Sequence, residues 1–194
     1  MSARGRGTEA ALPDCLRHVV SAPPFAALRD RIARLEHAGV TVALGGSGLL
    51  AALGVADRVR DWDLTSDAAP GEVIAALAGD PYTASGNDAL HADHKLAFAD
   101  GAIEIILGFA FFTAAGVVRI PTWVSERRDG LPLGSPEAWA VAYHLLGRPA
   151  KSEALFALLA KRGADSGLCA RLLGEPLPPE LAARLAALPT SSST

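Results

Sequence analysis

Cysteine is almost missing from this 194-residue chain, in which Cys15 and Cys169 are the whole supply. Two isolated thiols build neither a disulfide framework nor a zinc knuckle, and they suit a reducing cytoplasm. A basic excess is missing too. The formal charge is −3, without the positive surface usual for a protein whose main partner is a long nucleic acid. Aromatics make up 6% of residues and none interleaves with a basic cluster, so a single-strand nucleic-acid channel is not supported. No segment reaches the ~20 uninterrupted apolar residues of a membrane helix. The nearest, 102–118, is interrupted by Glu104 and two glycines. Arg4 and Arg6 have no apolar run behind them, which predicts no secretory signal. A cytoplasmic protein with no membrane partner is expected.

What is present is a large apolar fraction. Half of the residues are hydrophobic, enough for a sizeable core without staples. Pro23-Pro24 opens a helix with Phe25, Leu28, Ile32 and Leu35 on one face and Gly39 as its stop. Residues 40–44 read as a buried strand, 49–53 as a short helix, 61–65 as a second strand and 70–78 as a helix. Asp100-Gly101 between 95–98 and 102–106 predicts a hairpin with a type I′ turn. Residues 117–120 suit another strand. From Ser135, an N-cap followed by Pro136, the pattern is helical, with helices over 136–146, 151–162, 167–173 and 179–187. Residues 1–12 and 191–194 read as disordered, polar ends. The expected fold is α+β: a mixed-sheet domain over 13–125 with flanking helices, and a helical cap over 126–189.

One strand carries unusual chemistry. Asp61 and Asp63 are two positions apart, so on a strand both carboxylates project from one face while Trp62 and Leu64 take the other. Adjacent acids repel unless a cation lies between them, and magnesium favours such oxygen ligands. Asp-x-Asp alone also describes a solvent-facing strand edge. Gly45-Gly46-Ser47 adds to it: a turn between strand and helix whose backbone N–H groups and hydroxyl can meet phosphate oxygens. A plain strand-to-helix turn is the simpler account of that tripeptide. No Gly-Lys-Ser/Thr follows it, which excludes a Walker loop.

Gly45-Gly46-Ser47, a short helix, then Asp61-Trp62-Asp63-Leu64 resembles the polymerase β-type nucleotidyltransferases. The run 45–77 is similar to the head domains of CCA-adding enzymes and poly(A) polymerases. It also resembles small aminoglycoside nucleotidyltransferases and abortive-infection nucleotidyltransferase toxins. The run 130–148, with Ser135-Pro136-Glu137, resembles the helix start that follows the catalytic sheet in the small members. The resemblance implies a third carboxylate on a neighbouring strand, and Glu104, between Ile103 and Ile105, is placed for it. It further implies a two-metal Mg²⁺ site held by Asp61, Asp63 and Glu104, with Gly45, Gly46 and Ser47 at the nucleotide. The substrate would be a nucleoside triphosphate, ATP first among them. The acceptor would be a hydroxyl, on a small molecule ahead of tRNA or protein. Leu49 and Leu50 stand where CCA-adding enzymes have Arg-Asp, and Tyr143 and His144 where small members carry a lysine. Lys151-Ser152 and Glu153 replace their Lys-Asp and following Asp. The alternative is a protein that keeps the fold and binds a nucleotide or partner without activity.

Other residues invite weaker readings. His91-Ala92-Asp93-His94 lacks further ligands at zinc spacing and reads as a polar loop. Asp88 and Asp93 read as loop residues. Arg58 and Arg60 precede the acids and could touch a triphosphate, while Arg127, Arg128, Arg148 and Lys151 are candidates for a basic rim. Phe109, Phe111 and Phe112 read as core or pocket wall.

Overall fold

Helix α1 (Phe25–His37) forms where the apolar spacing predicts it, with Phe25, Leu28, Ile32 and Leu35 buried. It ends where Gly39, at φ 77°, lets the Val40 N–H reach back to the Leu35 carbonyl at 2.9 Å. This is a computed structural model, and it describes residues 11–91, 93–100 and 102–191. From α1 the chain continues through β1 (Ala43–Leu44), α2 (Gly46–Ala52), β2 (Trp62–Ser66), α3 (Pro70–Ala76), β3 (Thr83–Ser85) and β4 (His94–Phe98). Then come β5 (Ile103–Leu107), the hairpin β6 (Ala110–Thr113) and β7 (Gly116–Arg119), β8 (Val124–Arg128) and β9 (Leu131–Gly134). The last part holds α4 (Pro136–Leu145), α5 (Pro149–Arg162), β10 (Ala164–Asp165), α6 (Ser166–Leu173), α7 (Pro179–Ala186) and β11 (Thr190–Ser191).

Seven strands form one mixed sheet in the order β3-β4-β5-β2-β1-β9-β8. β2 runs parallel to β5 and β1 to β9, and the other neighbours are antiparallel. The α+β arrangement with flanking helices and a helical C-terminal part is therefore as expected. β1 is shorter than the predicted 40–44. Val40 closes the α1 cap, and the Thr41 carbonyl accepts a hydrogen bond from Ser66 Oγ at 2.7 Å.

The sheet also runs on past residue 125. β8 and β9 extend it to Gly134, with β9 beside β1, so the expected boundary between 125 and 126 falls inside β8. Their connection is an Asp129-Gly130 turn with φ of 50° and 82°, both positive as a type I′ turn requires. The Asp100-Gly101 turn predicted for the β4–β5 hairpin includes Gly101, which lies outside the described residues; the hairpin itself is formed.

Ser135 caps α4 by accepting from the Ala138 N–H at 3.1 Å. Buried Glu137 accepts from Ser135 Oγ at 2.6 Å and from the Asp165 N–H at 3.0 Å, which ties α4 to the start of α6. Ser152 Oγ donates to the Ala140 carbonyl at 2.8 Å and joins α5 to α4. Thr190 and Ser191 pair with Ala164 and Asp165, so the predicted polar tail begins with an ordered residue. Residues 192–194 and most of the predicted N-terminal tail, 1–10, lie outside the described residues. Among the described residues no helix is long and apolar enough to cross a membrane.

Candidate functional site

The alternation along β2 sorts its side chains by face. Trp62 and Leu64 are fully buried, and Trp62 meets Phe25 of α1 edge-on with ring centroids 6.0 Å apart. Asp61 and Asp63 take the opposite face. In β5, Ile103 and Ile105 are buried likewise, and the parallel register sets Glu104 directly beside Asp63. The three acids line one cavity of about 170 Å³, together with Gly46 and Ser47 from the start of α2. Gly45 stands just behind the lining, its N–H donating to the Asp63 carbonyl at 2.8 Å.

Both glycines of the turn are required by their surroundings. A Cβ on Gly45 would lie 1.9 Å from the Trp139 ring. On Gly46, whose φ is 52°, a Cβ would lie 1.6 Å from Asp63 Oδ2. The missing side chain is what lets the Asp63 carboxylate tuck against the α2 backbone. Ser47 is buried, and its hydroxyl serves Asp61: it donates toward the Asp61 carbonyl at 3.1 Å and Oδ1 at 3.3 Å, while accepting from the Arg60 N–H at 3.2 Å. Ser47 thus holds the loop that presents Asp61.

Charge is dense here. Burial, then Asp61 and then Glu104, push the Asp63 carboxyl up from an ordinary 3.8 to about 7, against the opposing pull of Lys95 and Arg148. Lys95 Nζ lies 3.4 Å from Glu104 Oε1. Arg60, Arg148 and Lys151 complete the basic lining. The chain has only three lysines, and two of them face this cavity. The Lys151 pKa is lowered by burial and by Arg148 and Arg60 beside it. Its Nζ sits 5.0 Å from the centre of the Tyr143 ring. Tyr143 is buried at the cavity wall, and its hydroxyl finds no hydrogen-bond partner among the described residues. Burial first, then Asp63, keep that phenol protonated by raising its pKa.

As a donor set, three carboxylate groups in which ionised Asp63 is disfavoured by its neighbours suit a hard divalent cation. Among the described residues, however, no three His, Cys, Asp or Glu side chains stand close enough to enclose one ion. Glu104 instead lies near Lys95. The chemistry of the donors fits magnesium, with Asp61 and Asp63 as the core of the set.

Other expected residues separate cleanly. Arg60, Arg148 and Lys151 face the cavity; Arg58 is exposed elsewhere. Arg127 binds Glu36 at 2.6 Å, and Arg128 binds Glu126 at 2.8 Å and the Ala52 carbonyl, so neither forms a rim. The His91–His94 run builds no metal centre among the described residues, and Ala92 lies outside them. His91 pairs with Asp88 at 2.8 Å and lines the cavity. Asp93, expected as a loop residue, precedes β4 and is buried with neither oxygen hydrogen-bonded among the described residues, and burial raises its pKa. Phe109 is a cavity wall and Phe111 is core, whereas Phe112 is 41% exposed. Lys95 escaped the sequence reading because it looks like an ordinary residue on a strand. The signal available was its place two residues before Ala97, the partner of Glu104 in the hairpin register, and so on the same face.

No known family profile and no curated protein matches the chain. Solved structures do. A provisionally assigned nucleotidyltransferase from Thermotoga maritima superposes with a TM-score of 0.50 at 23% identity, covering 71% of this chain and 93% of that one. The aminoglycoside nucleotidyltransferase ANT(2″)-Ia, solved in complex with adenylyl-2″-tobramycin, superposes with a TM-score of 0.51 at 14% identity, covering 84% of this chain and 94% of that one. The chain therefore shares the nucleotidyltransferase fold.

Proposed function

We propose that the chain is a magnesium-dependent nucleotidyltransferase that moves a nucleoside monophosphate from a nucleoside triphosphate, ATP first among them, to a hydroxyl acceptor. The observation that carries this reading is a single cavity in which Asp61, Asp63 and Glu104 share a sheet face and meet Arg60, Lys95, Arg148 and Lys151. Acids alone would suit only a cation. Acids and four bases together suit a cation that carries a polyphosphate.

Magnesium, when bound, would be held by Asp61 and Asp63 with Glu104 beside them, and would supply neutralisation of the crowded negative charge. The chain's own groups do the rest. Arg60, Lys95, Arg148 and Lys151 hold the triphosphate oxygens, joined as a donor by the Tyr143 hydroxyl, which has no partner among the described residues. Gly46 and Ser47, at the start of α2, add backbone N–H groups that have no acceptor within the helix. Ser47 keeps Asp61 in place through its hydroxyl. The acceptor oxygen bonds to the α-phosphorus as the bond from that phosphorus to the β-phosphate oxygen breaks, and pyrophosphate leaves in line. The hydroxyl proton passes to the Glu104 carboxylate, which lies beside Lys95 at 3.4 Å.

One observation favours a second reading, a nucleotide- or partner-binding protein without activity. Lys95 already neutralises Glu104 at 3.4 Å, and the acids do not close around an ion as they stand. Incubation with α-labelled nucleoside triphosphates, Mg²⁺ and a panel of hydroxyl acceptors separates the two. Transfer of label with release of pyrophosphate, abolished by Asp63→Ala, supports the enzyme. Nucleotide bound equally by parent and Asp63→Ala, with no transfer to any acceptor, leaves the binding protein.

A further inference from the structure

A second cavity, of about 510 Å³, adjoins the acid cavity and shares Asp61 and Glu104 with it. We infer that this shelf is the acceptor site, and that the acceptor is a small, uncharged alcohol with an apolar face. The inference rests on the transferase reading above and adds the class of its second substrate.

The sheet register makes the shelf. Asp63 pairs with Glu104, Glu104 with Ala97, and Ala97 with Thr83, so these residues form one row across β2, β5, β4 and β3 on the face of the acids. Beyond Glu104 the row drops to the short side chains Ala97 and Thr83. Pro81 and Tyr82 complete an apolar surround, with Tyr82 41% exposed and its ring 6.0 Å from that of Phe98, which is buried on the other face. The volume is that of a site for a small molecule.

Charge assigns the two cavities their contents. Arg60, Lys95, Arg148 and Lys151 line the acid cavity, and among the described residues no basic one lines the shelf. Pyrophosphate therefore departs among the cations, and in-line displacement brings the acceptor from the opposite side of the α-phosphorus. The shelf meets the acid cavity only across Asp61 and Glu104, and there we seat the acceptor. An anionic acceptor such as an oligonucleotide end would meet three carboxylates and no base there. A polycation finds few free partners either. Asp100 is held by buried Arg31 at 2.7 Å and Glu104 lies 3.4 Å from Lys95, which leaves Asp61 alone without a counter-charge among the described residues. An apolar body carrying one hydroxyl, directed at Glu104, is what the lining can hold.

The test uses Ala97→Leu, which fills the shelf from a half-buried surface position of the sheet. 2-Naphthaleneethanol serves as the acceptor probe, tobramycin and a short oligoribonucleotide as the contrasts. In fluorescence or saturation-transfer titrations the parent should bind 2-naphthaleneethanol, and Ala97→Leu should weaken that binding roughly tenfold or more, the effect of about 1.4 kcal/mol of lost contact. Binding of a fluorescent ATP analogue should stay the same in both proteins. In the labelled-ATP assay 2-naphthaleneethanol should gain nucleotide and the two contrasts should not. The shelf assignment is overturned if Ala97→Leu binds 2-naphthaleneethanol as the parent does, or if the parent does not bind it. It is equally overturned if Ala97→Leu weakens ATP analogue binding, which would seat the nucleoside on the shelf, or if label goes to tobramycin or the oligonucleotide. Probe binding sensitive to Ala97→Leu without transfer to any acceptor would keep the shelf as a binding site and refute the transferase reading instead.

Discussion

Asp63→Asn tests the electrostatic account of the site without asking for activity. In the unfolded chain this carboxyl loses its proton near 3.8, and in the folded chain near 7. Between those values the folded state binds the extra proton, so the Asp63 contribution to stability falls as pH rises, and the full penalty is present above about pH 7. The difference in pKa corresponds to about 4 kcal/mol at most. Relaxation of the site and entry of water leave about half, some 2 kcal/mol. Asparagine has the same shape and no charge, so it removes the penalty and keeps the close approach to Gly46. For a chain of this length about 2 kcal/mol corresponds to a rise of roughly 4–8 °C in Tm.

The assay is thermal unfolding followed by circular dichroism in EDTA, at about pH 8 and about pH 5.5. By linkage the stability advantage of Asp63→Asn should be about twice as large at the higher pH. Added Mg²⁺ at the higher pH should raise the Tm of the parent and leave that of Asp63→Asn nearly unchanged, because the cation relieves a repulsion the variant no longer has. A Tm for Asp63→Asn at or below the parent at about pH 8, or an advantage that shrinks as pH rises, would refute the claim that Asp63 is an ionised acid held among like charges.

Gly46→Ala should fail where most glycine-to-alanine changes are mild. It places a Cβ on Asp63 Oδ2 and asks alanine for φ 52°, so urea unfolding should show a loss of about 2 kcal/mol or more together with loss of nucleotide binding. Arg31→Met removes a buried guanidinium that lies 2.7 Å from Asp100, 3.0 Å from Asp80 and 4.5 Å from the centre of the Phe98 ring. Because Asp100 is largely exposed and recovers water, the loss should be about 2 kcal/mol by urea unfolding, below the ~3–5 kcal/mol typical of a fully buried pair. Lys95→Met frees Glu104 from its counter-charge, so Mg²⁺ titration by calorimetry should show tighter metal binding than in the parent, while ATP should bind more weakly. Weaker Mg²⁺ binding in Lys95→Met would rule out Lys95 as the competitor of the metal.

How far the residues reveal the fold depends on how local the deciding interaction is. α1 is legible because its apolar spacing and its Gly39 stop lie within one segment. β8 and β9 are not. Pro132 and the run Ser125 to Arg128 do not look like sheet, and only the distant pairing of Leu133 with Leu44, with β8 added beyond β9, makes them so. The Asp129-Gly130 turn was readable by the same rule that picked Asp100-Gly101, but no alternating apolar run flanks it to draw attention. The site divides in the same way. Asp61 and Asp63 stand out because a strand's two-residue period puts both acids on one face, and Glu104 because a charge between buried isoleucines needs a reason. The cations carry no such local mark. Arg60 and Arg127 are alike as letters, yet one faces the acids and the other is bound to Glu36 at 2.6 Å. Convergence of Arg60, Lys95, Arg148 and Lys151 from separate elements is a tertiary property. The total charge of −3 is therefore a weak guide to the ligand. On the proposed reading it is these four cationic side chains, all facing one cavity of about 170 Å³, that would hold a polyphosphate, whatever the rest of the surface carries.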